Sequence, residues 1–156
     1  MMNIPFASCS SLVSAITFDK VVCNAVVREL NVVSVAKNIS FYKNNPMSVE
    51  EILSKLSLPL FVKPSEGGSS IGMSKIKKKE ELKKAIETAF EVHDRIIIEE
   101  FIKGRELTCG VIETKGEVVA FPITEIIPKK EFFDYEAKYN GSTAEITPAD
   151  VKSIKD

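Results

Sequence analysis

A lysine that ends an apolar run and leads into a glycine-rich turn is the feature of this chain best suited to gripping an anion. Residues 60–72 read Leu-Phe-Val-Lys-Pro-Ser-Glu-Gly-Gly-Ser-Ser-Ile-Gly. Gly67, Gly68 and Gly72 let backbone N–H groups converge on a phosphate, Ser69 and Ser70 can add hydroxyl donors, and Lys63 supplies the opposing charge from a rigid strand. An ammonium on a strand that otherwise faces the core needs an anion, and either a phosphate or an internal carboxylate meets that need. The Gly-Lys-Ser/Thr signature of the strand–loop–helix P-loop is missing. The following segment, Met73-Ser74-Lys75-Ile76-Lys77, alternates apolar and polar residues as a strand does. The arrangement is a strand–loop–strand cradle; a plain hairpin turn is the alternative, because Gly and Ser populate turns for purely conformational reasons.

Other reactive chemistry is sparse. The only histidine, His93, stands beside Asp94 at the end of a helical pattern and reads as a solvated turn residue. Cys9, Cys23 and Cys109 are odd in number and lack Cys-x-x-Cys pairing, which excludes a disulfide framework or zinc site and reads them as small buried hydrophobes. No His/Cys nucleophile scheme has a candidate, and no metal ligands are assigned. The net charge of −1 offers no basic field for nucleic acid. Apolar runs such as Ile96-Ile97-Ile98 are too short to span a bilayer, and the N-terminus lacks signal-peptide order, so a cytoplasmic location away from membranes is expected.

The elements around the cradle follow from periodicity. With 156 residues, 44% of them hydrophobic, the chain can bury a core in one or two small domains. Residues 19–30 put Val22, Ala25, Val26 and Leu30 on one helical face, with Asn31 as the stop. Ser48-Val49-Glu50-Glu51 is a capping box opening a short helix that buries Ile52, Leu53 and Leu56. Leu82, Ala85, Ile86, Ala89 and Phe90 recur at helical spacing behind a charged, solvated first turn, 77–81. From Arg95 the pattern changes to strands at 95–101, 106–113 and 118–127, with turns at Lys103-Gly104 and Lys115-Gly116. The tail from Pro128 has no period and reads as a long loop.

Four segments in order carry a family resemblance: Thr17-Phe18-Asp19-Lys20, the Lys63–Gly72 cradle, Ile96-Ile97-Ile98-Glu99-Glu100-Phe101-Ile102-Lys103-Gly104-Arg105-Glu106, and Phe132-Phe133-Asp134-Tyr135-Glu136-Ala137-Lys138-Tyr139. Together with Ile146-Thr147-Pro148-Ala149-Asp150 they closely resemble the D-alanine–D-alanine ligases of the ATP-grasp superfamily. The resemblance implies an α+β fold: an ATP-grasp central subdomain, an antiparallel sheet with helices packed on one face, plus the opening strands of the C-terminal ATP-grasp domain. It divides the chain into a remnant of the linker from an N-terminal domain (1–18), the central subdomain (19–106) and a partial C-terminal domain with its mobile loop (107–156).

The same resemblance assigns roles. ATP is the implied cofactor, with Lys20 and Lys63 on its phosphates and Gly67, Gly68, Ser69 and Ser70 closing over the terminal one. Glu99, Glu100, Phe101 and Ile102 form the adenine clamp, with the Glu99 carboxylate and local main chain reading the base edge. Glu106 accepts both ribose hydroxyls, as a bidentate carboxylate can; its neighbour Arg105 is expected to be a surface residue. Ser69, Lys138 and Tyr139 are the catalytic group, the lysine reaching the terminal phosphate and the tyrosine packing over substrate.

The implied partners are ATP and D-alanine, with Mg2+ in the full-length enzyme of peptidoglycan precursor synthesis. The substrate-facing N-terminal domain and the magnesium carboxylates lie, on the family's pattern, outside this sequence. The chain is therefore expected to be an inactive internal fragment, able to self-associate through an unfinished sheet. Another ATP-grasp carboxylate–amine ligase, or a non-catalytic nucleotide-binding or structural module, are the alternatives.

Overall fold

The computed structural model describes residues 8–128 and 143–151. Its elements run α1 (Ser11–Phe18), α2 (Lys20–Leu30), β1 (Asn38–Tyr42), α3 (Val49–Lys55), β2 (Leu60–Pro64), β3 (Ser74–Ile76), α4 (Leu82–Val92), β4 (Arg95–Glu100), β5 (Glu106–Thr108), β6 (Val111–Thr114), β7 (Glu117–Ala120), β8 (Thr124–Pro128) and β9 (Thr143–Ile146). The chain forms two compact units, Met1–Ile102 and Lys103–Asp156.

In the first unit an antiparallel sheet has the order β1-β4-β2-β3. Alternation along the strands separates its two faces. Ile96 and Ile98 of β4 join Leu60 and Val62 of β2, Phe41 of β1 and Ile76 of β3 in a buried cluster with Leu82, Ala85, Ala89 and Phe90 of α4 and with Ile52 of α3. Phe41 and Phe90 meet edge to face at 6.0 Å. Each fully buried branched side chain contributes about 1.5–3 kcal/mol, against roughly 0–1 kcal/mol for an exposed ion pair. The apolar face against α4, rather than the charged rim, holds the unit together.

Local chemistry sets the helix ends as read. Ser48 and Glu51 close a reciprocal capping box at the start of α3, Ser48 N donating to Glu51 Oε2 at 2.8 Å and Glu51 N to Ser48 Oγ at 3.2 Å. Asn31 ends α2 at φ 51°. Ahead of α4, Glu81 accepts from the backbone of Lys77 and Lys78 over the short 3-10 turn Lys79–Glu81.

Several expectations need correction. The predicted face of α2 is not its buried one: Val22, Ala25, Val26 and Leu30 are exposed, while Lys20, Val21, Cys23, Asn24 and Val27 are half-buried. Lys63 does not face the core, because β2 alternates, with Leu60, Val62 and Pro64 inward and Phe61 and Lys63 on the opposite face. Cys9 and Cys109 are exposed and Cys23 half-buried, so none is a buried hydrophobe; the Cys109 thiol donates to the Phe121 carbonyl at 3.2 Å. The helix α1 and strands β1 and β9 were not anticipated.

In the second unit β5, β8 and β9 form one antiparallel sheet and β6–β7 a separate hairpin. The two long strands expected over 106–113 and 118–127 are thus each broken in two. Phe121 N donates to the Gly110 carbonyl at 2.8 Å, and its ring packs where a Cβ on Gly110 would come within 3.0 Å. Pro122, with no N–H, cannot continue the ladder. The chain therefore changes sheets at these two points. Lys115 and Gly116, at φ 53° and 78°, form the hairpin turn.

Arg105 is exposed, as expected, yet it organises this unit. Its guanidinium holds Glu125 of β8 by two 2.6 Å bonds and donates to the Asp150 carbonyl at 2.8 Å. The hydrogen bond to Arg105 holds the Glu125 carboxyl below its ordinary value, and Glu125 raises Arg105 in turn. Of the expected loop, 143–146 is strand β9, and 129–142 lies outside the described residues. Among the described residues no helix is long and apolar enough to cross a membrane.

Candidate functional site

The site is built on the face of β2 and β4 opposite α4. β4 presents Arg95, Ile97 and Glu99 there, and the register sets Lys63 opposite Ile97 and Phe61 opposite Glu99. Helix α2 is fastened over this face at two places. Asp19 caps the helix through Oδ1, accepting from Val21 N and Val22 N, while its Oδ2 meets Arg95 Nη1 at 3.5 Å. One helical turn further on, Asn24 Nδ2 donates to Glu99 Oε1 at 2.7 Å.

Lys63 Nζ meets the second Glu99 oxygen, Oε2, at 2.5 Å; their side chains are only 23% and 12% exposed. The internal carboxylate weighed for Lys63 on sequence grounds is therefore present, and it is Glu99, the residue that the resemblance assigns to the adenine clamp. One carboxylate receives an ammonium and an amide on its two oxygens.

Lys20 is the second cation. Its position in the first turn of α2 is unfavourable for a positive charge, but its side chain folds back to the loop. The backbone N of Lys20 donates to the Ser65 carbonyl at 2.8 Å, and Nζ donates to the carbonyls of Gly67 at 3.0 Å and Ser65 at 3.4 Å. Burial first, and the Lys63 ammonium second, push Lys20 below the ordinary lysine value of 10.5. A group in that state gains from an anion that offsets both effects.

The glycine-rich loop between β2 and β3 is wound from two tight turns, with Ile71 N donating to Gly68 O and Met73 N to Ser70 O, both at 3.2 Å. Ser69 and Ser70 take φ of 52° and 59°, a costly pair for residues with a Cβ. Gly72 (φ 70°) closes the loop against Pro64 and Val92, and no larger residue fits without displacing them.

At the other end of β4, Phe101 N donates to the Pro59 carbonyl at 2.9 Å. The Phe101 ring lies 5.9 Å from that of Phe61, and Lys75 Nζ stands 3.9 Å above it. Strand alternation turns Glu100 to the face opposite Glu99, where its Oε1 accepts from Ser57 N at 2.7 Å. Ile102 is exposed. The structure thus brings Lys20, Lys63, Glu99 and the glycine loop together, and sets Glu100 apart. Glu106 is exposed on β5 of the second unit. Lys138 and Tyr139 lie outside the described residues.

Three contributors were missed or misjudged in the sequence. His93 is half-buried, not a solvated turn residue: Nδ1 accepts from Arg95 N at 3.1 Å and stands 3.5 Å from Ser65 Oγ, with Nε2 3.7 Å from Glu66 Oε2. Asp19 carried a readable signal as an acidic N-cap before Lys20. Asn24 carried only a weak one, an amide residue of low helix propensity inside a helix. Among the described residues no group of three His, Cys, Asp or Glu is placed to hold a metal ion.

A lysine-bearing strand entering a glycine-rich loop, an antiparallel sheet backed by α4, and a second unit whose described elements are strands define an ATP-grasp fold. The structure superposes on the VanG D-Ala:D-Ser ligase from Enterococcus faecalis with a TM-score of 0.81 at 37% identity, covering 96% of this chain and 44% of that one. It superposes on a D-alanine–D-alanine ligase from Bacillus anthracis with a TM-score of 0.75 at 36% identity, covering 93% and 46%. The model of the D-ala D-ala ligase C-terminus family matches residues 26–155, and the chain belongs to that family. A D-alanine–D-alanine ligase of Phocaeicola vulgatus is 48% identical over 149 residues, 96% of this chain and 46% of that protein. One of Parabacteroides distasonis is 44% identical over 153 residues, 98% and 46%. The chain spans about half the length of the curated relatives it matches.

Proposed function

We propose that this chain supplies the nucleotide-gripping part of an ATP-dependent carboxylate–amine ligase that joins D-alanine to D-alanine in the cytoplasm for the cell wall. The observation that carries this reading is the closeness of two ammonium groups at the mouth of one glycine-rich loop: Lys20, from a helix, bonds the Gly67 carbonyl of the loop, and Lys63, from the strand that leads into it, bonds Glu99 and acts on Lys20 through its charge. One of them is held below its ordinary protonation range by burial and by the other. A polyphosphate is the ligand such a locus stabilises best, through charge-assisted hydrogen bonds.

In this reading ATP lies with its phosphates between Lys20, Lys63 and the 67–70 turn, and its base against Glu99, Phe101 and Ile102. Glu106 takes the ribose, and Ser69, Lys138 and Tyr139 face the reacting groups. The central subdomain is then 19–106 and the C-terminal domain begins at 107. ATP supplies an activated phosphoryl group: a D-alanine carboxylate oxygen bonds to the γ-phosphorus as ADP leaves. The amine of a second D-alanine then bonds to the acyl carbon as phosphate leaves, and the nitrogen gives up a proton. The protein's share is electrostatic, since lysines and loop amides hold charge that develops on the transferring group. Magnesium belongs to this reading as a partner of the phosphates, and no residue of this chain is assigned to it.

Calorimetric titration of the chain with ATP, beside Lys63→Ala, tests the proposal. A charge-assisted hydrogen bond of about 1.5–3 kcal/mol corresponds to a loss of roughly tenfold or more in affinity. Equal affinities, or no binding of ATP by the unmutated chain, would overturn it.

A further inference from the structure

The Glu99 carboxylate is the one group of the site gripped on both oxygens by side chains from two other elements, and one of these, Asn24, has no place in the scheme above. Asp19 to Arg95 and Asn24 to Glu99 pin α2 along β4 at both ends of the face opposite α4, with the fully buried Ile97 between them. None of the residues of the helix is fully buried, so these two polar contacts are specific points of attachment beside the half-buried Val21, Cys23 and Val27. An asparagine in a helix interior is a poor choice for helix stability, and its Nδ2 is spent on Glu99 at 2.7 Å.

A carboxylate offers about four lone-pair sites. Asn24 and Lys63 occupy one on each oxygen, which ties the plane of the group to two other elements and leaves a second site on each oxygen. With an ammonium at 2.5 Å on Oε2, the group is an acceptor only. It can receive the hydrogen of an amino group and repels a carbonyl oxygen. That is the difference between the 6-amino edge of adenine and the 6-oxo edge of hypoxanthine or guanine.

We propose that Asn24 is a positioning residue for base selection: by holding Glu99 in a fixed, acceptor-only orientation it makes the site prefer a 6-amino over a 6-oxo purine nucleotide. The inference rests on the reading of this site as a nucleotide site. It differs from that reading in placing selectivity on a residue of α2 that touches neither base nor phosphate. Asn24→Ala leaves Glu99 held at one oxygen only, so the carboxyl can turn and the orientation is no longer set in advance. Asn24→Asp sets a second carboxyl against Glu99, and such pairs share a proton. Glu99 can then donate to a 6-oxo group.

The test is calorimetric titration of the full chain with ATP and with ITP, for the unmutated protein, Asn24→Ala, Asn24→Asp and Asn24→Gln, with helix content followed by circular dichroism. The expected result is a preference for ATP that falls about tenfold in Asn24→Ala, falls further in Asn24→Asp through a gain in ITP binding, and is partly restored in Asn24→Gln. A merely structural role for Asn24 would weaken both nucleotides together and leave their ratio unchanged; that outcome overturns the inference while the nucleotide reading stands. Binding of neither nucleotide by the unmutated chain removes both. Should Asn24→Ala lose its helix signal, the ITP gain in Asn24→Asp decides alone, its presence supporting and its absence refuting the assignment.

Discussion

Replacing Gly72 by alanine tests how the glycine-rich loop is held, because two separable costs fall on that one position. Gly72 has a φ of 70°, in the left-handed region, where a residue with a Cβ loses about 1–2 kcal/mol. The new Cβ would also stand 2.8 Å from Val92 Cγ2 and 3.0 Å from Pro64 Cγ. Val92 is partly exposed and can rotate away, but the Pro64 ring is buried in β2 and cannot. Overpacking of this kind costs about 1–3 kcal/mol, so Gly72→Ala should lose roughly 2–5 kcal/mol in all.

Two neighbours serve as controls. Gly67 has a positive φ of 99° but nothing within 4 Å of its would-be Cβ, so Gly67→Ala carries only the backbone term. Gly68 has neither a positive φ nor a near neighbour, so Gly68→Ala should fall within about 0.5 kcal/mol of the unmutated chain. Urea unfolding followed by the helix signal reports on the right part of the molecule, since every described helix lies in the first unit. A Gly72→Ala variant as stable as Gly68→Ala, or a Gly67→Ala variant as damaged as Gly72→Ala, would refute the reasoning.

Two further outcomes concern protonation. Lys20 is held below 10.5 by burial and by Lys63, so its charged form is disfavoured in the fold. Its contribution to stability is therefore least below its lowered value and rises as the pH climbs toward 10.5, whereas affinity for ATP should fall over that same window. Titration of ATP from neutral to alkaline pH should show the fall in the unmutated chain and not in Lys20→Ala; an identical fall in the variant would exclude Lys20 as its source. In the second unit Glu125 is held below 4.5 by its bonds to Arg105. The stability difference between the unmutated chain and Glu125→Gln should be full above that pH and vanish as the pH drops through the lowered value. Urea midpoints at a series of acid pH values check it, and a difference that persists in strong acid would refute it.

The legible parts of this fold were those written in local chemistry. The Ser48–Glu51 box, Asn31 as a left-handed stop and the Leu82–Phe90 stripe are each decided within a few residues, and each is present as read. Lys63 shows where such reading stops. Leu-Phe-Val-Lys-Pro looks apolar throughout, so its two faces separate only once β4 supplies Ile98 to one side and Glu99 to the other. The breaks at Gly110 and Phe121 are equally non-local, because each segment alone could pass for a single strand and the Phe121 ring over Gly110 unites residues eleven apart in sequence. At the site, residue types pointed to Lys20, Lys63 and Glu99, but the salt bridge between the last two and the amide from α2 depend on three elements meeting.

The order β1-β4-β2-β3 has a bearing on how the chain comes together as it is made. β1 and β2 emerge first and lie in the same direction on either side of a gap that β4 must fill. Until residues 95–100 arrive, β2 can pair only with β3 and β1 has no neighbour at all, so two rows of backbone donors and acceptors stand open to water. The strand that closes the gap carries core isoleucines on one side and Glu99 on the other. Its insertion completes the hydrophobic layer and the anion-binding face in one event. A nascent chain that ends short of β4 therefore lacks Glu99, and a ligand that needs this carboxylate recognises only molecules whose last central strand is already in place.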